Sequence, residues 1–416
     1  MSTEIESRSA TVGQLAAKGT IVLAFVVALE VLIMISPFAL FFYAVFNPVL
    51  LVLGTTPFTR WLTAFFLPHM VVPPNAGLAA IRVLGSVFFV LGLLGFLACA
   101  IQVYAGKIRK TGVASKGGYA LVRHPQYLSL AVSGIGLAIL WPRFLSLVLL
   151  AVMLFLYYVL AKDEERRMLG RHGKSYRDYL GRTGMFLPRL AEARLLPEED
   201  APLYRVSAGK ALGILAVLLV VLVSTGFVLR SYTIRHLPLA ALDGVDAIAI
   251  TAEDLAAARD LLPKILEDGA VATRTRAGEH EGHRLLAYVI PVDYTMQGMI
   301  ADTGPEWRLF DQHKTVAMIT DYVLHPFAHL TEGHAHATPA HGSVALHDSP
   351  AMRRRIIFLD VVAEPGRLMS ASDDFAINVR REPRVFADVH LHTGEVLKVV
   401  DIPSGSGWGR VPTPSF

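Results

Sequence analysis

Residues 128–160 read LSLAVSGIGLAILWPRFLSLVLLAVMLFLYYVL, apolar almost throughout and broken once, at Trp141-Pro142-Arg143. A bilayer crossing needs ~20 residues of helix, so this block is too long for one span. Proline starts a helix readily and interrupts one badly, so the block is predicted to be a tight hairpin of two short helices. Working outward, Ile21–Phe46 and Ala76–Tyr104 precede it as apolar stretches of spanning length, and Ala211–Leu229 follows. The expected architecture is an α-helical integral membrane bundle of about five transmembrane helices, including the short hairpin, followed by a soluble α+β domain.

Composition agrees. Of 416 residues, 53% are apolar and only 18% charged. Soluble domains carry about a quarter charged residues, so a wholly soluble chain and a disordered one are both disfavoured. The net charge of +4 is too mild over this length to indicate a nucleic-acid partner, and none is expected. The one cysteine, Cys99, excludes an intrachain disulfide and a cysteine metal cluster. The first apolar stretch is too long for a cleavable signal and lacks a small-residue cleavage site. Residues 55–70 carry Arg60, Trp61 and two prolines and are read as an interfacial or re-entrant helix that does not cross.

Orientation follows from the loops. Lys107, Arg109, Lys110, Lys116 and Arg123 cluster before the hairpin, and Arg166, Arg167, Arg171, Lys174, Arg177 and Arg182 follow it. The opposite loops offer only Arg60 and Arg143. The positive-inside bias places the N-terminus and both basic loops in the cytoplasm, and the C-terminal part in the periplasm of a bacterial inner membrane. The domain plan is a core over residues 1–206, a last transmembrane helix over 207–230 and an outer α+β domain over 231–416. In that last domain strands are expected at Arg284–Val292, Arg355–Val362, Phe375–Val379 and Val385–Val400, the last folding at Thr393-Gly394. A helix is expected at Ala252–Leu266, opened by Thr251 with Asp254 at a capping-box spacing.

Two polar clusters flank the hairpin: Gly117-Gly118-Tyr119-Ala120-Leu121-Val122-Arg123-His124-Pro125-Gln126-Tyr127, and Asp163-Glu164-Glu165-Arg166-Arg167. The second continues through Gly173-Lys174-Ser175-Tyr176-Arg177-Asp178-Tyr179 and closes at Phe186-Leu187-Pro188. A hairpin brings its ends together, so cations and donors meet carboxylates, as a zwitterionic ligand with a flat ring would require. Arg123 and His124 can donate charge-assisted hydrogen bonds to a carboxylate. Neighbouring Glu164 and Glu165 point about 100° apart on a helix, so only one faces the site fully and the other is free to pair with an Arg. Pro125 keeps His124 out of the α-region. Either cluster alone would commonly be an interface anchor with solvated ion pairs; together their spacing argues for a ligand.

The combined pattern, Gly-x-Tyr, Arg-His-Pro-x-Tyr, a paired Glu, Gly-x-x-Tyr-x-x-Tyr and Phe-x-Pro, resembles the isoprenylcysteine carboxyl methyltransferase and phospholipid methyltransferase superfamily over residues 76–190. The resemblance implies a membrane enzyme using S-adenosylmethionine. It implies that Tyr119, Arg123, His124 and Tyr127 line the cofactor site and that Glu164 and Glu165 bind the amino or ribose groups. Gly134-Ile135-Gly136 is similar to the family's Gly-x-Gly, although small residues in membrane helices commonly serve packing. Arg123 is expected nearest the acceptor, a membrane lipid or lipidated molecule. A nicotinamide enzyme of sterol-reductase type would share a similar core, but no phosphate-binding signature accompanies it.

Outside the membrane, His334, His336 and His341 have the spacing of a divalent-metal site, and imidazole suits Zn, Cu or Ni. A polar loop that has simply collected histidines is the competing reading. The large outer domain departs from the family. It therefore supports an alternative: a non-catalytic accessory subunit whose methyltransferase-like core anchors a periplasmic module that binds a protein partner through residues 231–416 or handles metal.

Overall fold

The computed structural model describes residues 28–69, 75–109, 115–189, 207–237, 239–242, 245–249, 252–276, 283–292, 352–362, 374–377 and 379–402. Its helices are α1 (Ala28–Ala44), α2 (Asn47–Gly54), α3 (Pro57–Arg60), α4 (Ala76–Arg109), α5 (Gly118–Leu121), α6 (Pro125–Leu140), α7 (Phe144–Leu180) and α8 (Ala208–Arg235). After these come β1 (Leu239–Leu242), β2 (Val245–Ala249), α9 (Ala252–Glu267), α10 (Gly269–Arg276), β3 (His283–Pro291), β4 (Arg353–Val362), β5 (Arg380–His390) and β6 (Val396–Asp401). Among the described residues α4, α7 and α8 are long and apolar enough to cross a membrane, and α1 and α6 are shorter apolar helices. The chain thus combines helices long and apolar enough to cross a membrane with a separate sheet-rich region.

The break at Trp141-Pro142-Arg143 lies where the sequence puts it, between α6 and α7. The second arm corrects the expectation of two short helices. α7 runs past the apolar stretch through Asp163 to a break at Gly173 and resumes to Leu180, 37 residues in all. The sequence places the basic run from Arg166 onward in a cytoplasmic loop, yet helix continues into it because Lys, Glu, Arg and Leu are good helix formers once a buried turn has nucleated them. Residues 57–63 form only one short α-turn and one 3-10 turn, in keeping with a segment that does not span.

The chain divides into two compact units. One takes residues up to Phe41, with Val87–Leu137 and Val148–Val220; the other takes Phe42–Ser86, Ala138–Leu147 and Val221 onward. In the first, α4 and α6 approach closely: a Cβ on Gly92 would stand 2.5 Å from the Ser133 backbone nitrogen. The Ser133 hydroxyl donates to the Phe89 carbonyl at 3.1 Å, meeting its own polar group inside apolar surroundings. The Tyr157 hydroxyl on α7 donates to the Met34 carbonyl on α1 at 3.1 Å.

In the second unit, buried Arg143 donates to the Thr63 carbonyl and lies 4.1 Å over the Phe65 ring. Arg230 of α8, also buried, donates to the carbonyls of Phe65 and Phe375. The strands form one sheet in the order β1-β2-β3-β4-β5-β6. All pairs are antiparallel except β2–β3, where the parallel pairing needs the crossover that α9 and α10 supply. Those helices cover one face, with Leu262, Ile265 and Val271 packed on Ile356 and Phe358. The other face is buried against Leu237, Phe375 and Val379.

β3, β4 and the β5–β6 hairpin match the expected strands. Gly394, at φ 75°, supplies the left-handed turn that joins the last two. Residues 375–379 are corrected: Asp374–Ala376 form part of a turn, and Phe375 and Val379 are buried without pairing in a strand. The β4–β5 register slips between Phe358 and Leu359 of β4, which face Val385 and Pro383 of β5, where proline has no N–H for the ladder. Thr251, the expected cap, lies outside the described residues. Asp254 accepts from Arg354 Nε at 2.6 Å.

Candidate functional site

The site is built from the chain on either side of the hairpin, all within the first unit. Arg123 and His124 lie in the extended step between α5 and α6, held open by Pro125. Their backbone N–H groups donate to Gly184 and Met185 carbonyls at 2.8 and 3.2 Å, so the segment after α7 is laced directly onto the first motif. The Tyr179 hydroxyl donates to the Tyr119 carbonyl at 2.6 Å and adds a third tie. α7 can turn back far enough to do this because Gly173 (φ 51°, ψ −119°) breaks it in a conformation closed to other residues.

Glu164 and Glu165 divide the work as their positions on one helix require. Glu165 is buried and accepts from Arg123 Nε at 2.5 Å. Glu164 has a side chain 48% exposed, and its Oε2 lies 3.6 Å from His124 Nδ1 and 3.5 Å from the Tyr127 hydroxyl. His124 Nε2 stands 3.5 Å from Glu165 Oε1, so the imidazole lies between both carboxyls. Arg123 also donates through Nη1 to the carbonyls of Leu180 (3.4 Å) and Thr183. Buried Glu165 Oε2 and His124 Nε2 make no hydrogen bond. Burial works against a charge on His124, but the two flanking carboxylates outweigh it and hold the imidazole above its ordinary value of 6.5. Burial pushes the Tyr119 phenol well up and keeps it neutral.

An aromatic column continues from this polar cluster. The His124 and Tyr127 rings lie nearly parallel at 5.6 Å and 19°, and Tyr127 stacks on Tyr157 at 5.1 Å and 17°. Phe186 of the closing Phe-x-Pro lies 6.0 Å from His124. Tyr157 escaped the motif pattern, though it stands two helical turns before Glu164 and therefore on the same side of α7. The carbonyls of Leu180 and Thr183 carry no side-chain signature at all.

Five expected site residues, Arg123, His124, Tyr127, Glu164 and Glu165, are therefore brought together, and Tyr119 joins through its backbone. At Gly134 a Cβ would lie 2.6 Å from Met153 Cε and 3.4 Å from Leu150 Cδ1, so α6 packs closely on α7 there. Gly136 is buried in the same helix. His334, His336 and His341 lie outside the described residues. Among the described residues no group of three or more His, Cys, Asp or Glu could hold a metal ion.

Residues 77–177, which include most of this cluster, match the phospholipid methyltransferase family. Over 113 residues the chain is 29% identical to the nickel-cobalt-cadmium resistance protein NccN of Alcaligenes xylosoxydans xylosoxydans, covering 27% of this chain and 52% of that protein. The chain thus spans about half the length of that curated relative. No solved structure matches the chain.

Proposed function

We propose that the membrane core is an S-adenosylmethionine-dependent methyltransferase acting on a lipid-like or membrane-bound acceptor, its site facing the cytoplasm and its sheet domain the periplasm. The observation that supports this most is the cluster of Arg123, His124, Glu164 and Glu165, tied together by backbone pairing with residues 184 and 185. Its chemistry suits the cofactor. A half-exposed carboxylate at Glu164 can take an ammonium or ribose hydroxyls, the flat faces of His124 and Tyr127 suit a purine, and N–H donors at Arg123 and His124 suit the methionine carboxylate. S-adenosylmethionine would supply a methyl group already activated on sulfur.

The protein's part is then orientation and exclusion of water. Glu165 and the Leu180 and Thr183 carbonyls fix the Arg123 guanidinium, and in this reading Arg123 is the group nearest the acceptor. A carboxylate or thiolate acceptor needs no general base. Titration calorimetry of the purified full chain with S-adenosylhomocysteine tests the reading. Wild type should bind, and Glu164→Ala should weaken binding at least tenfold while the protein stays folded. Absence of binding by wild type overturns the reading.

The second reading is an accessory subunit whose core only anchors the outer domain. The similarity to a nickel-cobalt-cadmium resistance protein favours it. It calls for divalent-metal or protein-partner binding by residues 231–416, with His334, His336 and His341 as the candidate ligands. Nickel binding by a chain that ignores S-adenosylhomocysteine would establish it.

A further inference from the structure

Side chains from three strands and a turn of the second unit converge at one buried point. Arg284 of β3 donates from Nη2 to Asp246 Oδ2 of β2 at 2.8 Å and from Nε to Asp374 Oδ1 at 2.9 Å. Both carboxyls are buried, and the one Arg284 guanidinium bridges them. Two buried carboxylates on one guanidinium carry a negative charge in excess of what it offsets, and a proton bound between them removes that excess. Asp374 Oδ2 receives no hydrogen bond from an N–H or a hydroxyl. Beside it, Arg381 of β5 is buried and donates from Nη1 to the Asp374 carbonyl at 3.0 Å, while its Nε and Nη2 meet no acceptor. Unused donors and an unused acceptor thus belong to two residues already in contact.

We propose that Asp246 and Asp374 share one proton and form a pH-operated latch on the turn at residues 374–377. With the proton bound, Asp374 is held to Asp246 and Arg284. When the proton leaves to solvent, two carboxylates face one guanidinium, and the Asp374 carboxylate turns to the open Nε–H and Nη2–H of Arg381. The charge set free is met by a cation already present, so both states are paired. The groups facing Asp374 are Asp246 from β2, Arg284 from β3 and Arg381 from β5. Arg230 of α8 and Tyr288 of β3 face Arg381 in turn. Burial and the contact with Asp246 raise the Asp374 carboxyl and Arg284 opposes them, leaving it at about 7. Phe375, the next residue, gives its carbonyl to Arg230, so the turn's movement reaches the end of α8.

Infrared difference spectroscopy on the full chain in detergent reads the shared proton directly. A protonated-carboxyl band should disappear with a midpoint near pH 7, be missing in Asp374→Asn, and in Asp246→Asn move down by two pH units or more. Hydrogen exchange in residues 374–377 should change at least tenfold across the same midpoint, and this change should be lost in Arg381→Gln. A wild-type band that titrates only in the ordinary carboxylate range, or exchange in the turn that ignores pH, overturns the proposal. The wild-type measurements decide it even if a variant fails to fold.

Discussion

Arg123 and Glu165, separated by 42 residues in the chain, meet at 2.5 Å with the glutamate almost wholly out of water. Removing one member of a buried ion pair leaves the other uncompensated and costs about 3–5 kcal/mol. Glu165→Ala should therefore lower the unfolding midpoint strongly. Glu164→Ala, which strips a half-exposed carboxylate, should change it by under ~0.5 kcal/mol. Thermal unfolding of both variants in one detergent checks this; equal losses would show that the two glutamates are not divided as described.

Gly92 and Gly134 both sit at tight helix contacts, yet they should respond differently. An alanine at 92 meets backbone of α6 at 2.5 Å, which cannot give way, whereas at 134 it meets the end of a flexible methionine. Gly92→Ala should cost about 1–3 kcal/mol, and Gly134→Ala under ~1 kcal/mol. Ligand binding measured on Gly134→Ala then distinguishes packing from cofactor contact, since only the latter predicts lost affinity in a stable protein.

His124 ties stability to pH. Its folded value lies above 6.5, so its contribution is complete below that value and is lost as pH rises through the raised folded value. The unfolding midpoint should fall as pH is taken upward from about 6.5, and the part due to this residue should vanish in His124→Asn. Unchanged pH dependence in the variant would show that the imidazole is not held charged between the two carboxyls.

In the sheet unit, Phe358 is completely buried in the face covered by α9 and α10. Phe358→Ala should cost about 3–5 kcal/mol. Denaturant titration of the full chain should show this as a lower midpoint for the loss of sheet signal.

What the sequence made legible follows from how local each cause is. Pro142 breaks the apolar block by itself, and Thr393-Gly394 turns a hairpin by itself, so both features were readable. β1 and β2 were not. β2, Val245–Ala249, is buried on both faces and shows no alternation, and β1 has only four residues. Phe375 and Val379 are apolar because they plug a core, which a composition pattern cannot tell from a strand. In the site, the motif residues carried charge and could be named. Their anchors at Leu180, Thr183, Gly184 and Met185 act through backbone carbonyls, which every residue possesses.

Arg230 sits 165 residues after one of its acceptors and 145 before the other. During synthesis the guanidinium enters the apolar interior long before Phe375 has been made. A chain that stops short of that turn keeps its apolar helices but lacks the Phe375 carbonyl that meets this buried cation, and a buried donor deprived of its acceptor costs about 1–3 kcal/mol. Truncation before residue 375 is thus expected to loosen the surroundings of an arginine laid down 145 residues earlier.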